Sequence, residues 1–304
     1  MGSPVGSESE RPGLKKATKA AVFWLLRYTG AAFLARHTAQ NRRVTIVAYH
    51  DPDPDTFERH LALLTSLYSV IPLETFLSAR RAGDLRGLPR RPLVITLDDG
   101  WADNARLLPA LKSYGVRPTV FVCTSIVGTN RHYWWTHAPD PADREILKQT
   151  AEEERLRELA SSGFVSDTQY TDRQALSADD LAEMAPWVDF QSHTRSHPIL
   201  PRCSDERAAS EIAGSAEDIE RLTGVRPRAF AYPDGAYCDR DVELVRQAGY
   251  ECAITIVPGY DDVRTDHYRL KRIIVTDGAG PTELVARASG VFGILLGSMH
   301  RLFS

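Results

Sequence analysis

Two adjacent aspartates end an apolar stretch of the sequence, and they are the first candidates for chemistry. The segment "VITLDDG" runs from Val94 to Gly100 and carries Asp98 and Asp99 just before the glycine. Neighbouring carboxylates repel each other, and a bound cation would offset that repulsion. The alternative is that both aspartates only cap a helix that starts near Ala102.

Two histidines favour the cation. The segment "DFQSHTRSHPIL" places His193 and His197 four positions apart, and Pro198 predicts a loop rather than a continuing helix. Two imidazoles and one carboxylate are a frequent ligand set for catalytic zinc or a similar divalent ion. One aspartate would then bind the metal, and the other would accept a proton. We expect one divalent ion, zinc first, with cobalt, nickel, manganese or iron as alternatives.

The elements that must position these residues alternate along the chain from residue 44 onward. Segments with the pattern of buried strands are separated by segments with apolar residues at helical spacing. The strand patterns are "VTIVAYH", "PLVITLDDG", "RPTVFVC", "WVDFQSH", "RAFAYP" and "ECAITI". This order predicts an α/β fold with a parallel sheet, either open or closed into a barrel. Chemistry in such folds collects at the carboxyl ends of the strands. Asp98, His193 and the segment Tyr232-Pro233-Asp234 all follow strands in this way.

Residues 129–186 interrupt the alternation with aromatic residues and then a charged, helix-forming run. We interpret them as an insertion beside the site, because they contain too few apolar residues for a core of their own. Trp134 and Trp135 would either line a sugar groove, since aromatic faces stack on sugar rings, or anchor the insertion to the barrel.

The N-terminal segment has a different character. Residues 1–13 are polar and predicted to be disordered, and residues 14–36 predict a basic amphipathic helix. This helix would either pack on the domain or lie on a membrane surface, where the apolar segment 290–303 could join it. Arg27 interrupts the apolar run, which argues against a cleaved signal peptide, so we expect a cytoplasmic or peripherally membrane-associated protein. Residues 44–304 would form one catalytic domain.

The bulk composition does not favour a strongly charged partner. The 304 residues carry a formal net charge of −3, which gives no indication of nucleic acid or of an anionic membrane as the main partner. The four cysteines stand apart, without metal-type pairing, and are too few for a disulfide framework.

Together the motifs resemble the polysaccharide deacetylases of carbohydrate esterase family four, which share the nodulation-factor deacetylase homology domain. The family's T-F-D-D-G motif corresponds to residues 96–100, and its H-[ST]-x-x-[HS]-like motif to residues 192–198. Its third region corresponds to "FAYPDGAY" at 230–237, and the resemblance covers about residues 44–276. The flanking segments are most similar to the branch that deacetylates poly-N-acetylglucosamine and related exopolysaccharides.

The resemblance implies a fold and a set of roles. The fold would be a distorted, incomplete (β/α) barrel with an insertion after the third or fourth strand. Asp98 would be the general base, Asp99, His193 and His197 would bind the metal, and the backbone N–H of Asp234 would hold the oxyanion. The implied activity is metal-dependent removal of N-acetyl groups from an N-acetylated polysaccharide or oligosaccharide.

Two positions depart from the family pattern. Where many members have an arginine that orients the base, this chain has Ala231. Alternation along "YRLKRIIV", taken as a strand, puts Arg269 and Arg272 on opposite sides, and we expect Arg272 to face the barrel interior beside Asp98. The late L-x-H motif that supplies a general acid is also absent. His50 and His267 do not match it, so the acid stays open.

Two other functions remain open at the level of the sequence. A hydrolase of the same fold could act on a small amide, since a fold does not determine a substrate. A non-catalytic glycan-binding protein is disfavoured because the base and all three ligands are present. A trough lined by aromatic residues would suit a polymer, and a closed pocket would suit a small amide.

Overall fold

The computed structural model describes residues 12–295, with side chains from residue 20 onward. Within these residues, eight strands alternate with helices, as the sequence pattern predicts. The strands are β1 (Thr45–Tyr49), β2 (Ser69–Val70), β3 (Pro92–Asp99), β4 (Thr119–Val122), β5 (Asp189–Ser192), β6 (Ala229–Ala231), β7 (Cys252–Ile254) and β8 (Ile273–Ile274).

Helices pack around the sheet, and several of them begin with a side-chain cap. In the helix from Pro54 to Leu67, for example, Asp53 accepts a hydrogen bond from the N–H of Thr56 at 3.1 Å, and proline occupies the first turn. The helices are α1 (Pro12–Tyr28), α2 (Ala31–His37), α3 (Pro54–Leu67), α4 (Leu73–Arg81), α5 (Leu108–Tyr114), α6 (Pro141–Gln149), α7 (Glu152–Ser161), α8 (Ala178–Met184), α9 (Asp205–Thr223), α10 (Asp239–Gln247) and α11 (Pro281–Ala288).

The sheet is parallel and curls toward closure. Its order is β7-β6-β5-β4-β3-β1-β8, and β2 pairs with the start of β3. Leu270 exchanges backbone hydrogen bonds with Ala253 and Thr255 at the β7 end, while Ile273 pairs with Val47 of β1 at the other end. One short segment therefore spans the gap between the sheet ends. The predicted distorted, incomplete (β/α) barrel is confirmed.

The prediction of one continuous strand over "YRLKRIIV" is wrong. Only Ile273 and Ile274 in this segment form a β-strand. The chain crosses here from β7 to β1, and a segment that crosses a gap cannot pair with one neighbour along its whole length. Arg272 lies in the crossing, just before the strand.

Alternation along β3 sorts its side chains between the helices and the barrel interior. Val94 packs in the interior with Phe121 of β4, whereas Leu93, Ile95 and Leu97 pack under the helices. Successive side chains of a strand point to opposite sides, so Thr96 and Asp98 share the side of Val94. Asp98 therefore faces the barrel interior at the carboxyl end of its strand.

The insertion at 129–186 follows the fourth strand and contains α6, α7 and α8. Before these helices, residues Trp134–His137 form a 3-10 turn. A small cluster of buried side chains joins the insertion to the barrel. Its members are Trp134, Leu147, Leu159, Phe164 and, from the barrel, Ile199. The insertion shares its apolar cluster with the barrel and lies beside the strand ends.

The N-terminal segment forms two helices, where the sequence predicted one over 14–36. Gly30 separates α1 from α2 with a φ of 83°, a conformation that favours glycine. Residues 1–11 of the predicted tail lie outside the described residues, and the helix already begins at Pro12. Phe23 of α1 packs on Phe292, with ring centroids 4.6 Å apart. No helix among the described residues has the length and apolar character needed to cross a membrane.

Candidate metal centre and active site

Three side chains from two strand ends converge on one point. Nε2 of His193 lies 3.5 Å from Oδ1 of Asp99, and Nε2 of His197 lies 3.6 Å from the same oxygen. Tetrahedral ligands that are each about 2.1 Å from a zinc ion are about 3.4 Å from one another. One divalent ion would therefore fit between these three atoms with little movement.

Neighbouring groups orient two of the ligands. The carbonyl of Ala231 lies 2.8 Å from Nδ1 of His193. A carbonyl can only accept, so Nδ1 carries the proton and Nε2 keeps its lone pair for a cation. The indole N–H of Trp101 donates to Oδ2 of Asp99 at 2.9 Å, while Oδ1 of Asp99 is buried without a hydrogen-bond partner. A cation would satisfy that unpartnered oxygen.

The protonation states suit metal ligands. Burial and the neighbouring His193 lower the pKa of His197 well below its ordinary value, so this imidazole is neutral. Burial raises the pKa of Asp99, and the adjacent Asp98 adds to the rise, against the opposing effect of His193. A bound divalent ion would reverse the shift of Asp99. Two imidazoles and one carboxylate suit several divalent ions, and the donor set selects none of them.

The loop that carries the two histidines is braced from α9. Oε2 of Glu211 accepts hydrogen bonds from the N–H groups of Arg195 at 2.8 Å and Ser196 at 2.9 Å. Thr194 and His197 have φ values of 67° and 56°, in the left-handed region that few residues other than glycine adopt. The buried Glu211 carboxylate thus holds a strained loop in place. The sequence analysis did not identify Glu211, because this residue lies in α9, some 15 positions along the chain from the loop that it supports.

The turn after β3 excludes the capping alternative for the aspartates. Trp101 occupies the N-cap position of the 3-10 helix Ala102–Leu107, and no side chain caps that helix. Asp99 and Gly100 have φ values of 74° and 81°. A Cβ atom at Gly100 would lie 2.9 Å from a side-chain carbon of Val122, so only glycine fits this turn. The turn leaves the Asp99 carboxylate free for the metal triad.

Asp98 forms a buried ion pair with Arg272. Nη1 of Arg272 lies 2.7 Å from Oδ1 of Asp98, and neither side chain is more than 4% exposed. Burial alone would raise the pKa of Asp98, but the Arg272 guanidinium and the imidazoles of His193 and His50 outweigh burial and lower it. The structure thus places Arg272, rather than Arg269, beside the candidate base.

Arg269 faces away from the site. It is partly exposed and forms ion pairs with Asp239 at 2.7 Å and with Asp266 at 2.6 Å. Ala231, at the position of the family arginine, is buried in the interior cluster. The cation next to Asp98 therefore comes from the segment that bridges the sheet ends.

Asp234 lies in a 3-10 turn at the end of β6, with a φ of 55°. The two backbone hydrogen bonds of this turn are donated by Gly235 and Ala236, so they do not use the N–H of Asp234. The Asp234 carboxylate accepts from the ammonium of Lys148, on α6 of the insertion, at 2.8 Å. That the Asp234 N–H stabilises an oxyanion stays a prediction.

A cavity of about 260 Å³ contains these groups. The metal triad lies in it together with Asp98, Arg272 and Asp234. Four of the five non-glycine residues with positive φ among the described residues are Asp99, Thr194, His197 and Asp234, and three of these line this cavity. Strained backbone of this kind concentrates at functional sites, where the surrounding structure maintains it.

Trp134 and Trp135 of the insertion differ in whether they anchor the insertion to the barrel or line the cavity. Trp134 is buried and donates its indole N–H to the carbonyl of His197 at 2.9 Å, so it anchors the insertion to the ligand loop. Trp135 is partly exposed, lies against the His197 ring with centroids 4.4 Å apart, and lines the cavity. Of these two tryptophans, Trp135 is the more exposed and the better candidate to stack on a sugar ring.

Comparisons with known proteins agree with this geometry. The family model for polysaccharide deacetylases matches residues 86–253, more than half of the chain. The chain belongs to the polysaccharide deacetylase family. The resemblance inferred from the sequence motifs is thereby confirmed.

Curated relatives of this chain show how far the likeness extends. The chain is 24% identical to YxkH of Bacillus subtilis over 187 residues, 61% of this chain and 52% of that protein. It is also 24% identical to the poly-beta-1,6-N-acetyl-D-glucosamine N-deacetylase of Staphylococcus epidermidis over 222 residues, 69% of this chain and 62% of that protein. The chain thus spans about half to three fifths of the length of these curated relatives.

Solved structures share the fold of this chain. The Streptococcus pyogenes deacetylase PplD, solved in complex with acetate, superposes with a TM-score of 0.61 at 19% identity, over 82% of this chain and 99% of that one. At this level of identity the likeness concerns the fold alone.

The two histidines considered for the general acid, His50 and His267, lie in different places. His50 follows β1 and lines the cavity that contains the metal triad. Tyr49 pairs with Leu97 in the sheet, so one step further along both strands His50 lies beside Asp98. His267 instead bonds through its carbonyl to Ala253 at the β7 end and does not line the cavity. The register of β1 against β3 is the signal that could have identified His50, rather than His267, as the histidine beside Asp98.

Proposed function

We propose that the chain is a metal-dependent N-deacetylase of N-acetylated glycans. The observation that carries this proposal is the buried Asp98–Arg272 pair next to the triad of Asp99, His193 and His197 within one cavity. An ionised base beside a three-ligand metal site has the composition required for amide hydrolysis. A non-catalytic role would not require a base held in its ionised form.

Each residue has a defined task in this proposal. A divalent ion held by Asp99, His193 and His197 would polarise the acetamide carbonyl and lower the pKa of water. Asp98, kept ionised by Arg272, accepts a proton from the attacking water. The N–H of Asp234 donates to the oxygen that gains negative charge. His50, which lines the same cavity, would protonate the departing amine.

The dimensions of the cavity suit one sugar unit of a glycan and do not exclude a small amide. Its volume of about 260 Å³ lies below the roughly 300–1,000 Å³ of pockets that enclose a whole ligand. It would accommodate one acetamido sugar, with Trp135 beside the ring, while the rest of the glycan extends outside. A small-amide hydrolase of the same fold remains the alternative.

Acetate release and metal content test the proposal together. The purified protein would be treated with a chelator, reloaded with zinc, cobalt, nickel, manganese or iron, and assayed on several N-acetylated glycans and on small amides. We expect at least one metal to restore acetate release from a glycan. His193→Ala should abolish stoichiometric metal and activity, while the matched control His267→Ala should retain both. Equal metal content in the two variants would refute the ligand assignment.

We propose further that α1 and α2 bind an anionic membrane surface. One side of α1 packs against α11 through Phe23 and Leu26. The opposite side of α1, together with α2, carries large apolar side chains that are each more than half exposed. These are Trp24, Leu25 and Tyr28 on α1 and Phe33 and Leu34 on α2. Exposed apolar and aromatic side chains on short helices are typical of segments that lie in the interface of a bilayer.

The charge of this segment supports the same partner. Between Arg11 and His50 the sequence has no Asp or Glu, whereas the chain as a whole has more acidic than basic residues. The basic residues of the segment are Arg11, Lys15, Lys16, Lys19, Arg27, Arg36, Arg42 and Arg43. Basic residues near a bilayer are attracted to anionic lipids, each by about 1 kcal/mol.

Vesicle sedimentation tests this proposal. We expect the protein to sediment with vesicles that contain phosphatidylglycerol, less with vesicles of phosphatidylcholine alone, and less again at high salt. The variant Trp24→Ala with Phe33→Ala should lose binding, while Trp187→Ala removes an exposed tryptophan elsewhere and should not. Binding unchanged by the double substitution would contradict the proposal.

A further inference from the structure

The insertion helix α6 presents two cations to the cavity of the metal triad. Arg144 and Lys148 are four positions apart and so lie on the same face of the helix. Both side chains line the cavity that contains Asp98, Asp99 and His193. A neutral acetamide does not require additional positive charge there, so the role of these two cations needs an explanation.

Lys148 has its counter-charges within the protein. Its ammonium lies 2.8 Å from the carboxylate of Asp234 and 2.9 Å from that of Glu145. The contact with Asp234 ties the insertion to the turn after β6. Lys148 therefore acts within the fold and leaves little charge for a ligand.

Arg144 differs from Lys148. It is half-buried, and its Nε atom is shielded from solvent without a hydrogen-bond partner. It forms no ion pair with any carboxylate whose side chain the structure describes. A partly buried guanidinium without a counter-charge is unfavourable, and a ligand could supply that charge.

The carboxylates of the cavity are already assigned to other cations. Asp98 pairs with Arg272 and Asp234 pairs with Lys148, while Asp99 belongs to the metal triad. Arg144 is thus the cavity cation that has no partner among these acids. Its counter-charge is expected from outside the protein.

We infer that Arg144 binds a carboxylate on the sugar next to the one that is deacetylated, so that the substrate is an acidic N-acetylated glycan. This inference rests on the proposed function. The planar guanidinium matches a carboxylate with two parallel hydrogen bonds. A phosphate would call for a further cation or a helix N-terminus, and the nearby Lys148 is already paired. Trp135 lines the same cavity and is partly exposed, so it could contact a sugar ring there.

Binding tests the inference separately from turnover. Hyaluronan tetrasaccharide alternates glucuronate with N-acetylglucosamine, and its methyl ester keeps the shape but loses the charge. Affinities for both would be measured by calorimetry on metal-loaded Asp98→Asn protein, in which the substrate persists. We expect the acid to bind about tenfold to hundredfold more tightly than the ester, with an advantage that declines as salt rises.

Two arginine variants identify the residue responsible. Added to the Asp98→Asn background, Arg144→Gln should remove the preference for the acid and leave ester binding unchanged. Arg157→Gln removes the same charge from an exposed position of the insertion and should keep the preference. Equal binding of acid and ester, failure of the acid to bind, or a preference that survives Arg144→Gln would each overturn the inference.

Turnover then distinguishes this inference from the proposed function. Neutral chitotetraose lacks the carboxylate but carries acetamides, so wild-type protein should release acetate from it whether or not Arg144 recognises acids. If the protein releases acetate from chitotetraose but binds the acid no more tightly than the ester, the inference about Arg144 is refuted and the deacetylase activity is not. Acid binding that depends on Arg144, without acetate release from any glycan, would refute the deacetylase activity instead.

Discussion

Two regions of the molecule bury an arginine against a carboxylate, and they differ in the groups that surround the pair. Arg272 pairs with Asp98 inside the barrel, and Arg155 pairs with Glu152 in the insertion. Both arginines are at most 1% exposed. By burial and composition alone, the two pairs would be indistinguishable.

Their surroundings shift the two carboxylates in opposite directions. Burial would raise both pKa values. For Asp98, the Arg272 guanidinium and the His193 imidazole outweigh burial, and the pKa falls. For Glu152, Arg155 does not outweigh burial, the like charge of Glu211 adds to it, and the pKa rises. The surroundings of the Asp98–Arg272 pair in the barrel therefore favour the ionised carboxylate, whereas those of the Glu152–Arg155 pair in the insertion favour it less.

The insertion pair supports the site from behind. The Arg155 guanidinium lies over the Trp134 ring at 4.5 Å, and Trp134 donates to the carbonyl of His197. This pair therefore holds the wall of the metal site rather than taking part in chemistry. A buried ion pair indicates function only through the groups around it.

The largest expected effect comes from breaking the barrel pair at its carboxylate. Asp98→Asn keeps the shape and removes the base, so acetate release should fall by roughly 10²–10⁴-fold while metal content is unchanged. Glu152→Gln, the matched change in the insertion pair, should retain most activity. Near-normal turnover in Asp98→Asn would show that another residue is the general base.

Breaking the insertion pair should instead lower stability. Arg155→Met leaves Glu152 buried without its partner, and loss of one member of a buried pair costs about 3–5 kcal/mol in the free energy of unfolding. Chemical denaturation would measure this loss. The acidic limb of the activity profile should stay where it is in the wild type. A shifted limb without loss of stability would mean that the two pairs had been assigned the wrong roles.

The pH profile sharpens the comparison at the arginine of the barrel pair. The pKa of Asp98 is lowered, so the base is ionised down to acidic pH, and removal of Arg272 should raise that pKa. In Arg272→Met the acidic limb of kcat/KM should therefore move to higher pH, with metal content unchanged. Arg269→Met removes an exposed arginine from the same segment and should leave the limb in place. An unshifted limb in Arg272→Met would refute the role of Arg272.

The smallest expected effect concerns Glu211, which lies close to both regions. Glu211→Gln weakens the brace on the histidine loop, and loss of such support typically costs about 10–100-fold in metal affinity. Competition with a metal-chelating dye would measure the change. Glu206→Gln, at an exposed position of the same helix, is the control. Unchanged metal affinity in Glu211→Gln would show that the loop holds its shape without this carboxylate.

The sequence by itself determined the fold class and the candidate metal ligands. Strand and helix periodicities are local, so they could be recognised without the tertiary structure. The carboxyl ends of parallel strands meet at one edge of a sheet, so residues that follow different strands, such as Asp99 and His193, could be expected to converge. The alternation that favoured Arg272 over Arg269 was sufficient to choose the arginine, although the segment is not one continuous strand.

Only the tertiary structure decided the contacts between segments that are distant in the chain. The position of His50 beside Asp98 depends on the register of β1 against β3, and the brace from Glu211 depends on how α9 packs against the loop. The separate roles of Trp134 and Trp135, and the unpaired charge of Arg144, depend on how the insertion folds over the barrel. Such contacts arise from packing between elements, and the pattern within one element carries no information about its neighbour.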